Sequence, residues 1–232
     1  MRRPLFWPAY AMLAALTVLP DAGCAFDDGR VSEDFHATVT QAPAGIEVHN
    51  AVGGINVIAW DKPSVEIDAR KWGSSIDDVH AITISVQPSA STLVVTSHFP
   101  ANSTHCRVEY TIHAPANANL NLEESVGGIK SSGFTGDARE STSTGAVAAT
   151  MAAVGGSQHI ALHVSVGAIA LQIPAQSSAT ISASTSVGAV KANFPLSFTQ
   201  NFVGSSARGS IGKGDAQVEL TTATGAIAIQ RE

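Results

Sequence analysis

The sequence predicts an all-β chain: a β-solenoid, a β-helix-like stack of strand repeats about 20 residues long, with a β-rich N-terminal cap. Three observations predict it. A short motif, Val or Thr, then Gly, then Gly or Ala, then Ile or Val, recurs along the chain. Apolar and polar residues alternate on both sides of each copy, and a period of two is the signature of a strand. No repeat contains an amphipathic stretch of helix length, which sets leucine-rich and other helix-containing repeats aside.

The N-terminus reads as an export signal. Met1-Arg2-Arg3 is a short basic start, and Leu5 to Leu19 is an apolar run broken by Pro8 and Thr17. Two exits stay open. Gly23-Cys24-Ala25 offers small residues for cleavage after Ala25, whereas Ala22-Gly23-Cys24 fits a lipobox in which Cys24 is acylated and becomes the first mature residue. Asp21 stands where a lipobox wants an apolar residue. The expected division is a signal peptide over 1–25, a linker over 26–43, a β-rich cap over 44–122 and the strand solenoid over 123–232. No later apolar run is long enough to span a bilayer, so membrane contact is expected only through a lipid at Cys24. Under either exit Cys106 has no intramolecular partner, and its alternating strand context predicts a buried structural thiol.

In the cap, Ile46, Val48, Ile55 and Val57 alternate around a Gly pair, Asp61-Lys62-Pro63 makes a turn, and Val65, Ile67 and Ala69 resume the pattern. The stretch 72–81 is the one candidate helix. Further strands are centred on Ile84, Val94 and Tyr110, and a loop at Ala114–Asn117 precedes Leu120 and Leu122. The repeat glycines are Gly53, Gly127, Gly145, Gly167, Gly188 and Gly225, with a degenerate copy at Gly209. Ile160, Leu162, Val164 and Val166 are expected on one inward face, with Ile169, Leu171 and Ile173 continuing it after Gly167. By the same reading Val187 points inward and Ser186 outward. The Gly absorbs the change of phase because a residue without Cβ can turn the corner.

The order of motifs resembles a known family. Gly45 to Asp61 reads GIxVxxxxGxIxVxxWD, Val108 to Pro115 reads VxYxIxxP, and Gly127 to Ala138 reads Gly-Gly-Ile-Lys-Ser-Ser-Gly-Phe-Thr-Gly-Asp-Ala, followed by tandem Thr-Gly-Ala-Val units. Over residues 44–232 this is similar to the bacterial putative-adhesin family of β-strand repeats, a domain of unknown function in exported envelope proteins. The resemblance implies a non-catalytic repeat protein outside the cytoplasm, and it transfers no catalytic residue.

Chemistry is sparse. The 232 residues carry 14% charged side chains and a formal net charge of −6, although 44% are hydrophobic. With no basic excess to meet phosphates, nucleic acid is not an expected partner. No G-x-S-x-G elbow occurs, and Gly209 to Gly214 fails as a phosphate loop because Gly214 follows Lys213. His159 and His163 share an outward strand face. His98, His105 and His113 lie near Cys106 without a metal-ligand spacing. Asp27-Asp28, Asp77-Asp78 and Glu123-Glu124 lack the alternating oxygen ligands of a calcium loop. Beyond residue 140 the only charges are Lys191, Arg208, Lys213, Asp215, Glu219, Arg231 and Glu232, too few to assemble a carboxylate pair readily. The expectation is therefore no catalytic, cofactor or metal residue, and a non-catalytic adhesin or scaffold of the cell envelope, in the periplasm, anchored at the outer membrane or on the cell surface. An envelope-stress sensor binding a protein or peptide is the alternative, and a carbohydrate-active β-helix enzyme a weaker one. The partner is an envelope protein, peptide or glycan.

Overall fold

The computed structural model describes residues 30–101 and 105–232. They are 69% strand and 3% helix, in one sheet that does not close on itself. The strands are β1 (Val31–Val39), β2 (Gly45–Trp60), β3 (Val65–Gly73), β4 (Thr83–Pro88), β5 (Thr92–His98), β6 (Arg107–Pro115), β7 (Asn119–Phe134), β8 (Ala138–Met151) and β9 (His159–Ile173). They continue as β10 (Ala179–Val187), β11 (Val190–Ala192), β12 (Ser197–Gln200), β13 (Ser205–Ile211), β14 (Ala216–Thr224) and β15 (Ile227–Arg231). Helix α1 (Ile76–Ala81) follows β3, inside the stretch the sequence marks; the Ser75 side chain accepts from Asp78 N–H at 3.1 Å, and Asp77 and Asp78 face the helix start.

The middle of the molecule is a parallel stack. β2, β7, β8 and β9 are long strands bent at a glycine, each paired in register with the next. The neighbouring rungs are made of two strands each: β5 with β6 on one side of β2, and β14 with β15, then β10 with β11, beyond β9. Chain order and stacking order differ at the end. β14 and β15 insert between β9 and the β10–β11 rung, so the C-terminal strands are paired on both sides. The tail is thus held inside the sheet and does not form an open edge.

Register explains the bend. At Gly145 and Gly167, φ is +150° and +143°, and a Cβ would collide with the carbonyl oxygen of the glycine in the rung below. Only glycine satisfies both the angle and the contact. Gly53, Gly127, Gly225 and Gly188 occupy the same place in their rungs, with φ between +139° and +146°. Gly209 does not. It lies in β13, antiparallel to β10 and opposite Ile181, outside the glycine ladder. Its motif copy belongs to a hairpin strand that ends the stack, where no corner is needed.

Inward positions align from rung to rung. Ile46, Leu120, Ala138, Ile160, Val218 and Ile181 form one buried ladder before the corner, and Ile55, Ile129, Val147, Ile169, Ile227 and Val190 form another after it. The inward set stops at Val164, however. Val166 and Val187, expected inward, are 52% and 48% exposed, as are Val126 at 50% and Val52 at 38%. The corner takes up four residues from Ser165 to Ala168, so the inward phase jumps from Val164 to Ile169 and the residue before the glycine sits on the outside of the bend.

Both ends of the stack change to antiparallel pairing. β4 covers β5, β3 covers β6 and β1 covers β3; at the other end β13 covers β10 and β12 covers β13. Two expected boundaries move. Residues 31–39, placed in a linker, form edge strand β1, whose Phe35, Ala37 and Val39 pack against the core at alternate positions. The limit expected between residues 122 and 123 falls inside β7, and β2, assigned to the cap, is a full rung in register with β7. The physical reason is that β2 carries the same glycine corner and the same inward phase as the later repeats.

Candidate functional site

Aligning the rungs on their corner glycines gives each position a row. Four residues before the glycine, His49, Glu123, Ser141, His163, Thr221 and Ser184 stand side by side on the outer face. Two residues earlier the row is Glu47, Asn121, Arg139, Ala161, Glu219 and Ser182. An open groove of about 520 Å³ crosses this face over His49, Glu123, Ser141 and His163, with Ser125, Ser143 and Ser165 along one side. A second groove of about 370 Å³ shares Glu123, Ser141 and His163 and extends to Arg139 and Glu219.

His49 anchors the first groove. Its Nε2 lies 2.6 Å from Glu47 Oε1 and its Nδ1 2.9 Å from Glu123 Oε2, so both ring nitrogens face a carboxylate and the ring is fixed. Ser141 stands between Glu123 and His163, yet among the described residues no hydrogen bond joins its hydroxyl to either. The groove therefore offers hydroxyls, imidazoles and carboxylates to a polar ligand, without a built pair of nucleophile and base.

Beneath the groove, three residues before each glycine, lies a buried row: Asn50, Glu124, Thr142, Val164, Thr222 and Thr185. Asn50, Thr142 and Thr185 serve carbonyls turned in by the corner, whereas the Thr222 hydroxyl is buried without a partner among the described residues. Thr142 Oγ1 donates to Gly127 O at 3.2 Å, and Thr185 Oγ1 to Gly225 O and Val187 O, each at 3.1 Å. Asn50 Nδ2 donates to Val108 O and to Glu124 Oε2, both at 2.9 Å. Burial pushes the Glu124 carboxyl up to about 7 against the pull of Asn50 and the Val126 N–H. Glu140 is fully buried in the row of Leu122, Leu162 and Leu220; it accepts from the Ser131 hydroxyl, and burial raises it to about 7 as well.

The residues singled out by sequence are scattered. Cys24 and Asp27-Asp28 lie outside the described residues. Cys106 is buried beside β6 as a free thiol. His113 stacks on Trp60, 5.3 Å between ring centroids, with its Nδ1 buried and unpartnered. His159 and His163 are both exposed on β9, and Gly212 and Gly214 form the turn into β14. Glu123 and Glu124, adjacent in sequence, part company: Glu123 is exposed along the groove, and Glu124 is buried at its floor. The groove row itself escaped sequence reading. Its signal was there, a polar residue four positions ahead of each motif glycine.

A different cluster forms on β1 and β3, where His36, Glu66 and Asp68 hold their ligand atoms within 4.8 Å of one another. Asp68 raises His36 through a 2.8 Å hydrogen bond to its Nδ1. No spacing announces these residues, because the two strands are brought together only by their antiparallel pairing.

Comparison with solved structures finds the same fold in a putative cell adhesion protein from Clostridium sporogenes, with a TM-score of 0.62 at 16% identity over 87% of this chain and 100% of that one. Putative adhesins from Bacteroides fragilis and Parabacteroides merdae align over 87% and 89% of this chain, at TM-scores of 0.33 and 0.29 and 14% and 9% identity. No protein-family model and no curated protein matches the sequence.

Proposed function

We propose that this chain is a non-catalytic, exported cell-envelope protein, an adhesin or scaffold whose parallel rungs are the coils of a β-solenoid and whose grooved outer face receives the partner. The observation that carries this reading is the row His49, Glu123, Ser141, His163, set in line on an open groove by in-register pairing. Such a row repeats polar groups at the strand spacing of about 4.8 Å, which suits an extended ligand such as a glycan or peptide. The fold shared with the clostridial protein described as a putative cell adhesion protein supports the same reading. The signal-like start and Cys24 support export, and a lipid at Cys24 would supply the membrane attachment.

The test uses purified chain on arrays of envelope and host-surface glycans and on immobilised envelope fractions. Binding is expected, and Glu123→Gln with His163→Ala is expected to weaken it at least tenfold without altering the melting curve. Hydrolysis of any envelope glycan by the purified protein rejects the non-catalytic reading, and binding unchanged in the double variant rejects the groove. Fatty-acid labelling in cells tests the anchor: label is expected in the wild type and absent in Cys24→Ala.

A further inference from the structure

We propose that His36, Glu66 and Asp68 form a binding site for a divalent transition cation of the zinc or manganese kind, which clamps edge strand β1 to β3. Antiparallel register sets His36 directly opposite Asp68 and Thr38 opposite Glu66, so all four side chains share one outer face. The imidazole, and the carboxylates of Glu66 and Asp68, present their ligand atoms within 4.8 Å of one another. A tetrahedral ion bound at about 2.0–2.1 Å separates its ligand atoms by roughly 3.4 Å, so small side-chain rotations close the site.

The second ring nitrogen supplies an independent observation. His36 Nε2 lies 3.2 Å from Thr38 Oγ1. Without a metal, Nδ1–H donates to Asp68 Oδ1 at 2.8 Å, and a bound cation would take the place of that proton. Thr38 Oγ1 can accept from Nε2–H once the cation sits on Nδ1, and a histidine whose far N–H is held by a neighbouring oxygen is the usual arrangement of a metal ligand. The nearby cation does not fill this role: Arg70 is engaged by Asp34, with Nε at 2.6 Å from Oδ1 and a second nitrogen at 3.1 Å from Oδ2. The imidazole nitrogen favours a transition ion over calcium and magnesium, which take all-oxygen sites, and the two carboxylates accept zinc or manganese. This inference stands apart from the proposed function, since the site lies on the antiparallel end and not on the groove.

The test is titration of the full chain, carrying Cys24→Ser to remove a competing thiol, with Zn²⁺, Mn²⁺ and Mg²⁺ by calorimetry and by thermal melting. One equivalent of Zn²⁺ or Mn²⁺ is expected to bind, to raise Tm by several degrees and to slow amide exchange over Val31–Val39. His36→Ala and Asp68→Asn are expected to lose this gain while melting as the parent does in chelator, and His163→Ala to keep it. Zn²⁺ binding that survives both site variants, or that is lost in His163→Ala, overturns the proposal. So does the absence of any one-equivalent site in the parent chain.

Discussion

At the N-terminal end, Arg70 lies 2.6 Å from Asp34 and Lys71 2.9 Å from Glu33, both pairs reaching from β3 to its antiparallel neighbour β1. From β8 to β15 no ion pair joins one rung to another among the described residues, and the outer rows run to Ser, Thr, Ala and Gln. Strand direction together with sequence repetition accounts for the difference; the parallel strands β2 and β7 are joined by His49 and Glu123 because the two rungs differ in sequence at that position. Antiparallel pairing sets unlike stretches of sequence opposite each other, so opposite charges can meet. Parallel pairing of repeats sets like on like, and a charged repeat position would stack identical charges about 4.8 Å apart. The scarcity of charge in the later half is thus a property of the stacking, and charges that share a row there stand apart: Ala161 separates Arg139 from Glu219, and three alanines separate Lys130 from Lys191.

The largest test of this comparison strikes the stack where it has no freedom. Gly167→Val drives a side chain into the Gly145 carbonyl at φ +143° and is expected to cost more than about 4 kcal/mol, enough to abolish cooperative folding. Gly209→Ala, at the antiparallel end, presses on the tip of Leu196 at 3.0 Å and meets backbone only at ordinary contact distances of 3.4 and 3.7 Å, and should cost about 1 kcal/mol or less. Equal losses in urea denaturation would break the distinction between corner and end glycines.

The next test separates the two sides of the corner. Val164→Asp places an unpaired charge in the core and should cost roughly 3–5 kcal/mol, whereas Val166→Asp, two residues on and 52% exposed, should stay within about 0.5 kcal/mol. Similar melting of the pair would show that the bend does not turn position 166 outward. Val187→Asp is expected to behave like Val166→Asp, since Val187 is exposed on the same ridge.

Glu140 gives the stack a pH dependence. Its carboxyl titrates near 7 when folded and near 4.5 when unfolded, so the folded state holds the proton more tightly between those values. Stability therefore falls as pH rises from about 4.5 to about 7 and is level above, by on the order of 3 kcal/mol for a shift of this size. Glu140→Gln should remove this slope and be the more stable protein at pH 8. A slope of the same size in the Gln variant, measured by denaturation at pH 5 and 8, would assign it elsewhere. Glu124 works in the same direction.

The smallest effect belongs to the antiparallel end. Arg70→Ala should lower Tm slightly at low salt and not at all at high salt, because the pair with Asp34 is exposed and screened. A loss that persists in high salt would mean that β1 is held by this pair and not by its backbone ladder.

Legibility followed the same division. The six corner glycines, the period-two strands and the short helix near residue 76 were all visible, because each depends on residues near in sequence. Val166 was misplaced because its apolar character fits an inward strand position; the count of residues spent on the bend is not written in the alternation. The alternation does not announce β1, because Glu33 interrupts its apolar period. The groove row needed the rungs to be aligned before its members became neighbours.

The sequence by itself determined that this is a β protein of repeating glycine-cornered strands, because backbone freedom and side-chain alternation are local properties. Tertiary structure alone decided which rungs touch. It put β14 and β15 between β9 and β10–β11, turned the residue before each glycine outward, and brought His36 to Glu66 and Asp68. Those outcomes rest on pairing between distant strands, whose direction and register are set by how the whole sheet buries its core and satisfies its edges.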